Sequence, residues 1–334
     1  MRKLKYFDLY TTDPCFNLAC EQFIFENLPT DCSYIMLWQN KNTVVVGKYQ
    51  NTYGEVNAEY AAKNNIKVVR RLSGGGAVYH DLGNLNFSFI TDAVPNAQLD
   101  LHILCTPIIR ILRDLGIPAE INGRNDITIE GKKISGNSQY LKHGRIMHHG
   151  TLLFDSDLRA INEALRVDDC KVQSKGIKSV ESRVTNIKEH IPGKDMDISE
   201  FRKILLCELL RGTDGEEYIF SSDELEQIKK IRDERYSCWE WNYGSSPNCA
   251  ISRKKRFDGC GTVEAHISIS GSTISELKFS GDFFSAEDPE KIEGLFLGMQ
   301  PRKEEIEKVL SSIDISKYFL GMDNQGFISL LTGE

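Results

Sequence analysis

The sequence predicts an α+β fold in two units, a large one over residues 1–245 and a small one over residues 249–334. Three observations carry that expectation. Short runs rich in aromatic and β-branched residues, joined by turn residues, read as mostly antiparallel strands, and stretches of helical period lie apart from them. The stretch Gly244 to Asn248, GSSPN, is a linker signal. Beyond it the pattern restarts with an alternating strand, a glycine turn, a returning strand and two helices. A chain of 334 residues with 40% hydrophobic content can bury one large core and a smaller one.

The elements follow in order. Asp13-Pro14 reads as an N-cap with proline at the first helical position, opening a helix to about Asn27. Ser33 to Trp38 and Thr43 to Gly47 read as short buried strands. Asn57 caps a helix that ends near Asn64-Asn65, and Ile66 to Arg71 is a strand. Gly74-Gly75-Gly76 interrupts it, and Ala77 to His80 and Leu85 to Ile90 continue as strands. Leu101 to Leu115 has helical spacing, stopped by Gly116 and Pro118. Strands follow at Asp126–Ile129, Lys132–Leu141 and Ile146–Phe154, the last two turning at His143-Gly144. Helices are expected near Asp157–Leu165, Ser199–Leu210 and Asp223–Arg235. In the small unit Val263 to Ile269 alternates, Gly271 turns and Thr273 to Phe279 returns, before helices near Pro289–Leu297 and Lys303–Ile313.

Several function classes are disfavoured. A net charge of −7 lacks the basic footprint of a nucleic-acid binder. The nine cysteines have irregular spacing and no C-x-x-C, so they read as reduced thiols of a cytoplasmic protein. The N-terminal MRKLKYFDLY has no signal-peptide apolar run, and no apolar stretch is long enough for a membrane helix. His148 and His149 are strand neighbours facing opposite ways, so they cannot share a metal, and no H-E-x-x-H or Cys/His cluster is present.

The chemistry concentrates in Arg70 to Phe89, RRLSGGGAVYHDLGNLNFSF. Three glycines after a strand cost folding entropy, and the usual gain is close approach of backbone to a ligand. Arg70 and Arg71 could bring charge to a carboxylate or phosphate. A tight turn in a sheet is the alternative for a bare triple glycine. No Gly-Lys-Ser/Thr follows, so this is not a P-loop. Lys133 begins the strand after a turn at Glu130–Lys132, sharing a face with Ser135 and Asn137 on simple alternation. It suits a compact charge on a phosphate, with a solvated hairpin lysine as the alternative. Gly123-Arg124-Asn125-Asp126 precedes another strand and reads equally as turn chemistry. Ser174 to Asn186 is polar and reads as a loop.

Taken together, RRLSGGGAVYHDLGNLNFSF, GRNDI, KKISGN, HHGTLL and SKGIKSVESRVTNI, in that order, closely resemble the lipoate–protein ligase family, as does WEWNYG at Trp239–Gly244. The resemblance is to the long form with a C-terminal accessory domain, and it implies a large unit with the biotin/lipoate ligase fold. It implies a two-step reaction: lipoate and ATP, with Mg²⁺, give lipoyl-AMP and pyrophosphate, and the lipoyl group then passes to a carrier lysine. The implied acceptors are lipoyl domains of 2-oxoacid dehydrogenase complexes and the glycine-cleavage carrier protein. From the cysteines, charge and hydropathy above, the protein is expected in the cytoplasm with no nucleic-acid or membrane partner, and a monomer is the default expectation. By the same resemblance Arg71 and the backbone of Gly76, Ala77, Val78 and Tyr79 match nucleotide-binding positions, and Lys133 matches the lysine that contacts both the lipoyl carbonyl and the phosphate. Arg70, Ser73, Gly74, Gly75, Asn125, Asp126 and His149 are their expected neighbours; the metal ligands are not specified. After KISG some members lead to an arginine, where this chain reads Asn137-Ser138-Gln139-Tyr140. Rival readings are an ATP-independent octanoyl or lipoyl transferase on the same fold and a non-catalytic binding module. The small unit is expected to swing once the adenylate has formed.

Overall fold

The structure is a computed structural model, and it describes residues 3–93, 101–123, 125–166, 183–193, 195–244, 251–270 and 272–333. The main sheet is built from β1 (Lys3–Asp8), β2 (Cys32–Trp38), β6 (Asn84–Asp92), β7 (Ala119–Asn122), β8 (Asp126–Ile129), β9 (Lys132–Lys142), β10 (Arg145–Leu153) and β11 (Glu216–Glu217). Their order is β11-β1-β2-β6-β10-β9-β8-β7. β1 runs parallel to β11 and β2, and every other neighbouring pair is antiparallel. A second sheet sets β3 (Thr43–Val46) between β4 (Lys67–Arg70) and β5 (Val78–His80), with the three glycines in the β4–β5 connection. In the C-terminal unit β12 (Ile251–Phe257), β13 (Gly261–Ser270) and β14 (Thr273–Gly281) form an antiparallel sheet. The chain is therefore mixed α+β with mostly antiparallel sheets.

All nine residues of β10 are buried, because the strand is covered on both faces and reads as a near-continuous run. One face carries Leu37, Phe87, Ile134 and Leu152 against helices at Thr106–Asp114 and Ile198–Leu210. The other carries Met36, Trp38, Ile90 and Met147 against helix α1 (Pro14–Asn27). The C-terminal unit has its own core of Val263, Ile267, Phe283, Phe296, Phe319 and Phe327 among others.

Several local expectations change for identifiable reasons. Asp13 occupies the N-cap position, but its carboxylate accepts from Lys67 Nζ at 3.1 Å instead of capping the helix. The expected helix from Leu101 shrinks to a 3₁₀ turn at Ile103–Cys105 and a helix at Thr106–Asp114. Pro107 lacks an N–H and fits only the first turn. The helix expected from Asp223 starts at Ser222, where Ser221 and Glu224 form a capping box, and it ends at Ile231 in a π turn over Arg232–Tyr236. Pro289–Leu297 divides at Gly294 into two short turns, Glu290–Glu293 and Gly294–Phe296. Strands β1, β7, β11 and β12 and a helix at Asn324–Thr332 carried no clear sequence signal. The GSSPN linker beyond Gly244, the turn at Gly271 and most of the polar run from Ser174 lie outside the described residues.

Candidate active site

Two adjoining hollows, of about 90 and 620 Å³, open between the two sheets of the large unit. The inner one has apolar walls from Leu18, Trp38 and Val45. The outer one runs towards the C-terminal unit and Arg256. Gly76, Ala77, Val78, Asn125, Lys133 and Thr151 line both, so Lys133 stands at their junction.

Lys133 is fixed from both sides. Its N–H donates to Arg183 O at 2.7 Å, and its carbonyl accepts from Thr185 N at 3.0 Å. The polar run Ser174 to Asn186 thus ends in a single parallel bridge that sets Val184 beside Lys133. A register shift at Ile127/Thr128 places Lys133 opposite Thr128 and Gly136 opposite Asp126. Residues opposite each other share a face, so Lys133 shares its face with Gly136, and simple alternation with Ser135 fails at this bulge. The Nζ atom lies 2.8 Å from Asp126 Oδ1. A Cβ on residue 136 would sit 2.7 Å from that Nζ, so Gly136 makes room for the lysine.

The three glycines divide their duties. A Cβ on Gly74 would meet Phe283 O of the C-terminal unit at 2.3 Å. Gly75 has φ +88° and donates its N–H to the same carbonyl at 3.2 Å. Gly76 has nothing within 4 Å of its Cβ position and faces the cleft. Two glycines therefore admit the neighbouring unit and one keeps the ligand space open. Arg71 shapes the loop, its Nη2 donating to Gly74 O at 2.7 Å and Gly76 O at 2.8 Å. Burial lowers its pKa to about 10. Ser138 Oγ also donates to Gly74 O.

A buried polar chain backs the inner hollow. His149 meets Ser73 Oγ through Nε2 at 2.6 Å and Glu21 Oε1 through Nδ1 at 2.9 Å. Ser88 donates to Glu21, and Trp38 Nε1 donates to Ser88. His80 also lines this hollow, and burial lowers its pKa to about 3. His148 points to the opposite face of the sheet, 3.7 Å from Cys105 Sγ. Burial lowers its pKa to about 3 as well.

Among the sequence candidates, Arg71, Gly76, Ala77, Val78, Asn125, Lys133 and His149 line the inner hollow, and Tyr79 and Asp126 line the outer one. Ser73, Gly74 and Gly75 stand behind the wall. Arg70 requires correction as a ligand candidate: it lines neither hollow and is 1% exposed. Its guanidinium donates to the carbonyls of Gly47, Lys48, Gln50, Trp241 and Asn242 and to Thr52 Oγ1. It is a staple for the segment behind the loop. Glu21, Trp38, His80 and Arg256 were not anticipated. A glutamate inside the apolar run of α1 was the one available hint.

The comparisons agree with this architecture. Residues 13–210 match the family described as the lipoyl protein ligase A/B catalytic domain, and residues 246–331 match the bacterial lipoate protein ligase C-terminus. The chain is 42% identical over 322 residues to the lipoate-protein ligase LplJ of Bacillus subtilis, covering 96% of this chain and 97% of that one. A lipoate-protein ligase A structure bound with ATP is similar at 26% identity and TM-score 0.62, covering 73% of this chain and 99% of that one. A bi-partite lipoate protein ligase, studied with its E2 lipoyl domain from Thermoplasma acidophilum, is similar at 28% identity and TM-score 0.62, covering 75% and 98%. With the catalytic-domain match spanning more than half of its length and a relative aligned almost end to end, the chain belongs to the lipoate–protein ligase family.

Proposed function

We propose that this enzyme activates lipoate with ATP to lipoyl-AMP, releasing pyrophosphate, and then transfers the lipoyl group to a lysine of a carrier domain. The observation that carries the reading is the junction at Lys133 of a small hollow walled in part by Leu18, Trp38 and Val45 and a larger one that Arg166, Arg183 and Arg256 line. The lipoyl chain occupies the inner hollow and the nucleotide the outer one. Lys133 Nζ then faces the lipoyl carbonyl and the α-phosphate, where charge develops in both steps. The backbone of Gly76, Ala77, Val78 and Tyr79 forms the nucleotide wall. Arg71 holds the loop, Asn125 and Asp126 position the lysine, and His149 with Ser73 supports the inner wall.

Mg²⁺ enters as part of the substrate MgATP. Among the described residues no group of three or more His, Cys, Asp or Glu side chains is gathered for a metal, and a partly hydrated ion on the phosphates needs none. The acceptors proposed are lipoyl domains of 2-oxoacid dehydrogenases and the glycine-cleavage carrier protein. Among the described residues no helix is long and apolar enough to cross a membrane. The enzyme proposed acts as a monomer in the cytoplasm.

Pyrophosphate release from ATP on adding lipoate, followed by mass-spectrometric detection of a lipoylated carrier domain, tests the reading. Modification only from an acylated protein donor, without ATP, would establish a transferase instead. No described cysteine lines either hollow, which disfavours the cysteine-nucleophile version of that rival.

A further inference from the structure

The outer hollow is lined from both units. The large unit contributes Lys133, Arg166 and Arg183, and the C-terminal unit contributes Arg256. β12 carries four basic residues in succession, Arg253 to Arg256. Arg253 donates to Leu331 O and Lys255 to Ser329 Oγ, both within their own unit. Arg256 is the one of the four that lines the hollow. It is exposed, and its guanidinium has no hydrogen bond or ion pair among the described residues.

Its position is held by docking. Gly75 N donates to Phe283 O at 3.2 Å and Gly281 N to Tyr49 O at 2.8 Å. The Tyr49 and Phe283 rings stack at 4.8 Å, and Lys48 pairs with Asp288. The turn after β12 is close-packed, since a Cβ on Gly321 would fall 2.7 Å from Gly259 C.

We propose that Arg256 binds the β- and γ-phosphates of ATP and serves the adenylation step alone, an inference that rests on the ligase reading above. In that step a lipoate carboxylate oxygen forms a bond to the α-phosphorus. The bond from that phosphorus to the α,β-bridging oxygen breaks, and its electron pair leaves on pyrophosphate. Charge therefore grows on the phosphates beyond Lys133, and a guanidinium fork suits them. In the transfer step the carrier amine attacks the lipoyl carbonyl, AMP leaves with the bonding pair and the amine loses its proton. No pyrophosphate is then present for Arg256 to hold. The C-terminal unit is thus a supplier of one substrate contact as well as a cover for the glycine loop.

The test compares two half-reactions in the full chain. Lipoate-dependent exchange of labelled pyrophosphate into ATP reports adenylation, and transfer from synthetic lipoyl-AMP to a carrier domain reports the second step. Arg256→Ala should slow exchange by about 10²-fold, the lower end for loss of a charge-stabilising donor, and raise the KM for ATP. The ratio of exchange to transfer should move at least about tenfold by the same reasoning. Arg256→Lys should restore part of the exchange, because it keeps the charge without the fork. Unchanged exchange, or equal losses in both half-reactions, would overturn the inference. Wild-type enzyme that shows no exchange would overturn the ligase reading itself, and with it this one; wild-type exchange with an unaffected Arg256→Ala would overturn this one alone.

Discussion

Replacing Gly74 with alanine probes whether the glycine loop is built for the C-terminal unit. The new Cβ would lie 2.3 Å from Phe283 O and 3.4 Å from Phe284 Cα. Both neighbours are backbone, so no flexible side chain can yield. The two segments must separate by roughly 1 Å to reach ordinary contact, as in other overpacked sites. The Gly75 N to Phe283 O bond, already 3.2 Å, then passes out of range. Overpacking strain of about 1–3 kcal/mol and a lost hydrogen bond of about 0.5–1.5 kcal/mol together weaken docking by roughly 2–4 kcal/mol. Calorimetry should show the C-terminal unit melting earlier, by roughly 10–30 °C for a unit of this size, with pyrophosphate exchange reduced. Gly76→Ala is the matched control, since its Cβ meets nothing within 4 Å. It should leave melting unchanged and raise the KM for lipoate or ATP by intruding on the cleft. A Gly74→Ala enzyme that melts and exchanges like wild type would refute the division of duties among the three glycines.

Other substitutions separate the remaining roles. Lys133→Ala should cut adenylate formation by about 10²–10³-fold, read as pyrophosphate release; near-wild-type release would remove the lysine from the reaction centre. Arg70→Lys should lose most of the fork's bonds to five carbonyls and destabilise the chain by at least about 3 kcal/mol, with the KM for ATP unchanged in the folded fraction. A raised KM with unchanged melting would return Arg70 to the ligand site. His80 and His148 are held neutral by burial down to about pH 3, whereas in the unfolded chain they protonate near pH 6.5. Their contribution is full above about pH 6.5 and is lost as pH falls towards 3, at about 1.4 kcal/mol per unit for each. Urea unfolding at pH 5 should therefore show about 4 kcal/mol less stability than at pH 7, and equal midpoints would contradict it.

The parts of the site that were legible in sequence are those whose reason is local. Glycines in succession advertise an unusual backbone, and a lysine beginning a polar strand advertises a ligand wall. What escaped depends on distant partners. Nothing near Arg70 and Arg71 tells which guanidinium turns to Gly74 and which to residues 47–52 and 241–242. The bulge that moves Lys133 onto the face of Gly136 is a property of pairing with β8. Glu21 and His149 are 128 residues apart and meet only across the sheet. Arg256 sits in a charged edge strand that resembles any solvated one. Among the elements, Pro107 and the Ser221–Glu224 box were readable signals that periodicity alone overran.

The Arg70 staple also bears on how the two units find each other. It ties Trp241 and Asn242 to the segment behind the glycine loop, so the chain leaves the large unit from a fixed point. Six residues of sequence separate Gly244 from β12, a covalent span of no more than about 20 Å. Docking across it is intramolecular, with an effective concentration in the millimolar range or above. Two backbone bonds, at Gly75 and Gly281, the Tyr49–Phe283 ring stack, the Tyr49–Ser285 hydrogen bond and the Lys48–Asp288 pair hold the docked face. At that effective concentration these few contacts set where Arg256 stands over the outer hollow.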